Sequence, residues 1–102
     1  MKRAYGYIRS ATDEKSHLQL QTMRIADYCK KNNLELVDTF ADVAASRMTM
    51  LDQMFSRCRR KDKIVAIIVT SKDRLSRDDF ELCIFEGLLK KKGIVLIALN
   101  DL

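Results

Sequence analysis

The run Ile64-Val65-Ala66-Ile67-Ile68-Val69 is apolar on both faces of a two-residue strand period, and all of it but Ala66 is β-branched. A strand with no polar face must be covered on both sides, which is the place of a central strand in a parallel sheet between two helical layers. The stretches around it fit that reading. Residues 3–10 alternate and contain Tyr5, Tyr7 and Ile8, residues 34–40 resume the strand period, and residues 94–99 form another apolar run. Three helical stretches separate these strands. Ser16 and Gln19 have capping-box spacing ahead of Leu20, Met23, Ile25, Ala26, Tyr28 and Cys29, and Asn32-Asn33 supplies a stop. Thr49 with Asp52 opens a second helix to about residue 60, with Leu51, Met54, Phe55 and Cys58 on its apolar side. Ser76 with Asp79 opens a third, with Phe80, Cys83, Ile84, Phe85, Leu88 and Leu89 inward and Gly93 as its left-handed stop. The order predicts an α/β fold: a four-stranded, mostly parallel sheet with right-handed crossovers and helices on both faces. Residues 41–50, polar and aperiodic, are expected to form an exposed loop.

A chain of 102 residues makes one domain with one core. It has no run of about 18 apolar residues, so no transmembrane helix or membrane partner is expected. Cys29, Cys58 and Cys83 are odd in number and form no C-x-x-C pair, and the amino terminus has no apolar leader pattern. A reduced, cytoplasmic protein is expected, with the cysteines and methionines as core side chains and His17 exposed. The charge is concentrated. Residues 57–77 hold eight basic groups against Asp62 and Asp73, and the rest of the chain is close to neutral. That pattern favours a polyanionic partner, nucleic acid first.

Ligands of an open parallel sheet bind beyond the carboxyl ends of its strands. The loops there carry Arg9, Ser10, Ala11 and Thr12, residues 42–47 with Ser46 and Arg47, and Thr70 through Arg77 with Ser71, Lys72, Asp73 and Arg74. Several guanidiniums around a hydroxyl suit phosphoryl transfer. Each fork holds two non-bridging oxygens, and positive charge gains value as negative charge develops in the transition state. Arg74 and Arg77, three apart at a helix start, are expected to share a face, with Asp73 orienting one of them or capping the helix. Phosphate-binding glycine motifs are absent, and no His, Asp or Glu cluster has metal-ligand spacing. No metal and no small-molecule cofactor are expected.

Tyr7-Ile8-Arg9-Ser10-Ala11-Thr12, Gln21 and Asp73-Arg74-Leu75-Ser76-Arg77, in that order, resemble the catalytic domain of the serine recombinases, the resolvase/invertase family. The resemblance covers nearly the whole chain and implies metal-independent, site-specific DNA recombination. A serine attacks a phosphodiester, a 5′-phosphoserine link forms, and strands are exchanged and religated within a tetramer. By the resemblance, Arg9, Arg74 and Arg77 surround the phosphate, with Asp73 and Gln21 as further site residues; Tyr7 of the motif and Arg47 are candidate phosphate or DNA contacts, and Lys72, from the loop after the third strand, is another. The family pattern Y-x-R-x-S puts its nucleophile at Ala11; the serine here is Ser10, so Ser10 is the candidate nucleophile. Adjacent strand residues face opposite sides, so Ser10 needs a bulge or turn to take the expected place. The resemblance further implies DNA and a homo-oligomer as partners. Residues 1–102 then correspond to a catalytic domain ending before a long oligomerisation helix and a DNA-binding domain. Two other readings stay open: a non-catalytic relative acting in DNA binding or assembly, and a flavodoxin-like regulatory domain.

Overall fold

The structure, a computed structural model, describes residues 1–11, 15–43 and 49–102. Among them β1 (Lys2–Ser10), β2 (Leu34–Val43), β3 (Ile64–Val69) and β4 (Val95–Ala98) alternate with α1 (Lys15–Lys31), α2 (Thr49–Ser56) and α3 (Asp79–Lys91). The sheet order is β2-β1-β3-β4, and every neighbouring pair is parallel. Short 3-10 turns follow α2, β3 and β4 at Arg60–Asp62, Lys72–Arg74 and Leu99–Asp101.

The strand period sorts the core into two layers. Tyr5, Tyr7, Ile67 and Val69 point to one face and pack with Phe40, Met54 and Leu89 beneath α2 and α3. Ala4, Ile8, Ala66 and Ile68 point to the other and pack with Ile25 and Cys29 of α1. β3 is buried on both faces, as its sequence requires. A Cβ on Gly6 would stand 3.1 Å from Ile25 Cγ2, so the bare glycine lets α1 settle onto β1. Gly93 ends α3 at φ 75°: its N–H donates to Lys90 O and the Ile94 N–H to Leu89 O, both at 3.0 Å, which closes the last turn as a Schellman motif. Asn33 ends α1 at φ 56°.

Several expectations are corrected. β2 continues through Val43, because Asp42 is buried and anchored, so the expected loop loses residues 41–43; residues 44–48, Ser46 and Arg47 included, lie outside the described residues, as does Thr12. Ser16 lies within α1, which already includes Lys15. Thr49 is the first residue of α2, not its cap, and the helix stops at Ser56. α3 is capped by Asp78, whose carboxylate accepts the Phe80 N–H at 2.9 Å, whereas Ser76 Oγ donates to Glu81. The inward face of α3 is Leu82, Phe85 and Leu89. Phe80, Ile84, Leu88 and Cys83 are exposed, because hydrophobic spacing marks an apolar stripe without saying what covers it. Leu20 and Met23 of α1 are exposed for the same reason, and Val95 of the edge strand β4 is 58% exposed. No described helix is long and apolar enough to cross a membrane.

The cysteines offer a check on this packing. Cys29 and Cys58 are buried, and burial pushes the Cys58 thiol up to about 11, whereas Cys83 is exposed. At pH 8 one thiol per chain is expected to react rapidly with a disulfide reagent in the folded protein, and three after denaturation. Fast reaction of all three in the native state would contradict the packing.

Candidate active site

The strand order reverses between β1 and β3: the chain leaves β1 towards β2 and leaves β3 towards β4. Their carboxyl ends therefore diverge and open a crevice, where an open α/β sheet places its ligand. A cleft of about 290 Å³ lies there, lined by Ser10, His17, Leu20, Gln21, Arg24, Thr70, Ser71, Arg74 and Asn100.

Each side chain arrives by a traceable route. Ser10 ends β1 on the face that Ala4 and Ile8 share, so it looks towards α1 and is buried, while Arg9 is half-buried. Ala11, the next residue, is exposed in a bend beyond the strand. Gln21 is on the buried stripe of α1 with Ile25 and Cys29, one turn apart along the helix, and is itself only 9% exposed. Arg74 closes the 3-10 turn after β3 and donates from Nη1 to the Arg9 carbonyl at 3.1 Å, which ties the ends of β1 and β3 together. Asn100 binds back to the same rim: its N–H donates to Thr70 O at 2.9 Å, and its side-chain oxygen accepts Arg24 Nη2 at 2.8 Å.

Two polar atoms here, Gln21 Oε1 and Arg74 Nε, are sealed from solvent with no hydrogen-bond partner among the described residues. A buried polar atom left unpaired costs about 1–3 kcal/mol. One is an acceptor and the other a cationic donor, the complement of a hydroxyl and a phosphate oxygen.

The other expected site residues fall elsewhere. Tyr7 faces away from the cleft: it is fully buried, and its hydroxyl donates to Asp42 Oδ2 at 2.7 Å, so it does not contact phosphate or DNA from the rim. Burial first, and then that hydrogen bond, raise its phenol above its ordinary value. Lys72 is drawn to Glu86 of α3, with Nζ 2.9 Å from Oε1, which strengthens its hold on the proton. Asp73 accepts the Ser71 hydroxyl instead of bridging to an arginine. That hydroxyl, with the positive charges of Arg74 and Arg77 adding to it, holds its carboxyl below the usual carboxylate range. Arg77 is exposed between the 3-10 turn and α3, so it shares no helix face with Arg74.

Sequence reasoning passed over Arg24, Asn100 and Asp42. Asp42 holds no place in the cleft, yet it organises the neighbouring edge. Its carboxylate accepts Tyr7 OH and also the Met50 and Leu51 N–H groups, at 2.9 and 3.2 Å, so β2 caps the start of α2. Asp42 stands seven residues ahead of Thr49, outside any local capping spacing, so the sequence carried no local signal for this role.

The fold is an α/β domain of the resolvase type. The chain belongs to the family described as Resolvase, N terminal domain, which its sequence matches over residues 4–102. Among solved structures it is similar to the C-terminal catalytic domain of ISC1926 TnpA, an IS607-like serine recombinase. The identity is 25% and the TM-score 0.82, covering 95% of this chain and 67% of that one. A resolvase family site-specific recombinase from Streptococcus pneumoniae shares 21% identity with TM-score 0.89, over 99% of this chain and 74% of that one. The N-terminal catalytic domain of TP901-1 integrase shares 19% with TM-score 0.87, over 98% and 79%. No curated protein matches the sequence.

Proposed function

We propose that this domain cuts and rejoins DNA in site-specific recombination, with Ser10 as its nucleophile. The observation that carries the reading is the joint placement of Ser10, Gln21 and Arg74 on one cleft, with an acceptor of Gln21 and a donor of Arg74 left unpaired. In the proposed reaction Ser10 Oγ gives up its proton and forms a bond to phosphorus, the bond from phosphorus to the 3′ oxygen breaks, and that oxygen takes up a proton and leaves as a 3′-hydroxyl. The 5′-phosphoserine link conserves the phosphodiester energy, so religation is the reverse attack by a 3′-hydroxyl. Arg74 supports charge on the phosphate oxygens, and the exposed Arg77 approaches them from the rim. Gln21 accepts the serine hydroxyl or orients the incoming strand. The exposed row Phe80, Ile84 and Leu88, at four-residue spacing on α3, supports association into the oligomer that strand exchange needs.

A second reading is favoured by one residue. Ala11 stands where the family pattern has its serine, as in a non-catalytic relative that keeps the phosphate site for DNA binding and assembly. A nicked duplex spanning the junctions of the genetic element that encodes the protein decides between them. Denaturing electrophoresis and peptide mass spectrometry of the trapped adduct are expected to place DNA on Ser10, and Ser10→Ala to remove it. No adduct in the unaltered protein but one in Ala11→Ser would show a competent scaffold without its nucleophile. No adduct in either, with DNA binding intact, would establish the non-catalytic reading.

A further inference from the structure

The basic run of residues 57–77 divides: Lys72, Arg74 and Arg77 follow β3 at the cleft edge, whereas the basic residues of 57–63 precede β3 at the opposite one. All four strands are parallel, so their starts and the helix ends collect at one edge of the sheet, opposite the cleft. Residues 1–3, 27–35, 56–63 and 88–93 form that edge and hold twelve of the 19 basic residues but three of the 14 acidic ones. The rest of the molecule, cleft included, holds seven basic and eleven acidic residues. The positive charge of the protein therefore lies at the edge away from its candidate site.

Two ordinary explanations fall short in size. Basic residues complement helix carboxyl ends, but three helix ends present only about −0.5 charge each. Nor does the edge supply field to the cleft: nine residues of β1 separate the two, on the order of 30 Å, against a screening length of about 8 Å. The charges are also largely unpaired. Ion pairs among the described residues here are Arg57 with Asp38 at 3.8 Å and Arg59 with Asp62 at 3.2 Å, whereas Lys61, Lys63, Lys90, Lys91 and Lys92 are exposed with none. The edge is indented as well. Cys58, Lys91, Lys92 and Gly93 line a cleft of about 510 Å³, and Lys92 Nζ lies 5.2 Å from the Phe55 ring centre, which steadies its position.

We infer that this edge is a second DNA-backbone-binding surface that engages duplex phosphates while the cleft at the opposite edge engages another segment. Spaced lysines that form no ion pair among the described residues, Asp62 being held by Arg59, match a phosphate backbone, which they bind by releasing counterions and without reading sequence. The inference holds whether or not Ser10 is the nucleophile.

The test is binding of a short random-sequence duplex by fluorescence anisotropy across a salt series. The protein is compared with a Lys61→Gln/Lys91→Gln/Lys92→Gln variant and, at the other edge, with Lys15→Gln, an exposed lysine at the start of α1. The triple variant is expected to lose affinity about tenfold or more and to flatten the salt slope by about 2–3, while Lys15→Gln keeps most of the slope. A wild-type slope in the triple variant, or loss of the slope in Lys15→Gln instead, would overturn the inference. Should the triple variant melt early, lysine acetylation of the unaltered protein decides: bound duplex protects Lys61, Lys91 and Lys92, and equal modification with and without DNA overturns the assignment.

Discussion

An Arg74→Ala protein is expected to unfold at nearly the same temperature as the unaltered chain and to form the covalent DNA adduct about 10²–10³-fold more slowly. The rate follows from position. Arg74 lines the cleft with Ser10 and carries an unpaired donor, and removal of one such preorganised donor from a developing oxyanion costs on the order of 3 kcal/mol. The small stability effect follows from its partners. The Arg74 side chain makes one hydrogen bond among the described residues, to the part-buried Arg9 carbonyl near the end of β1, which water can reach once the side chain is gone. Arg74→Lys distinguishes charge from geometry: a lysine keeps the charge but lacks the fork, so most of the loss is expected to remain. Wild-type adduct formation by Arg74→Ala would remove this residue from the mechanism.

Asp42→Ala is expected to be the most destabilising single change outside the apolar core, by about 3–5 kcal/mol in urea unfolding. Asp42 is 4% exposed and accepts three hydrogen bonds, from Tyr7 OH and from the Met50 and Leu51 N–H groups. Its removal strands a hydroxyl inside the core and uncaps α2, each a cost of about 1–3 kcal/mol. Domains of this size are stable by only about 5–15 kcal/mol, so the loss is a large share of the total. Tyr7→Phe is the informative partner. It takes away one of the three donors and leaves the carboxylate satisfied by two amides, so it is expected to cost about 1 kcal/mol. Equal losses in the two variants would show that the Asp42 contacts to α2 contribute nothing.

The strands and the alternation of layers were legible because Ile64 to Val69 admits only a doubly covered place, and the rest of the order follows from it. The helix faces were legible only in part. A stripe such as Phe80, Ile84 and Leu88 has the same spacing whether it meets the sheet or another chain, so spacing alone put exposed residues inside. Helix starts failed for a different reason: the sequence offers Ser and Thr as local caps, while α2 is capped across space by Asp42 and α3 by its immediate neighbour Asp78. At the site, Arg74, Ser10 and Gln21 were found and do line one cleft, whereas Tyr7 carries a motif position yet is wholly engaged in the core. Asn100 and Arg24 were missed because a contact between residues so far apart leaves no local signal.

The place of β1 in the sheet also bears on how the chain is made. β1 is synthesised before the other three strands yet lies inside the sheet, and its partner β3 emerges about 60 residues later. β1, α1 and β2 have what they need to associate early, but one edge of β1 stays unpaired until β3 arrives. Through that interval Ala4, Ile8 and their neighbours border an open row of amides and carbonyls, the arrangement that recruits strands from other chains. The step that completes the cleft between β1 and β3 is thus the same step that closes the open edge of β1.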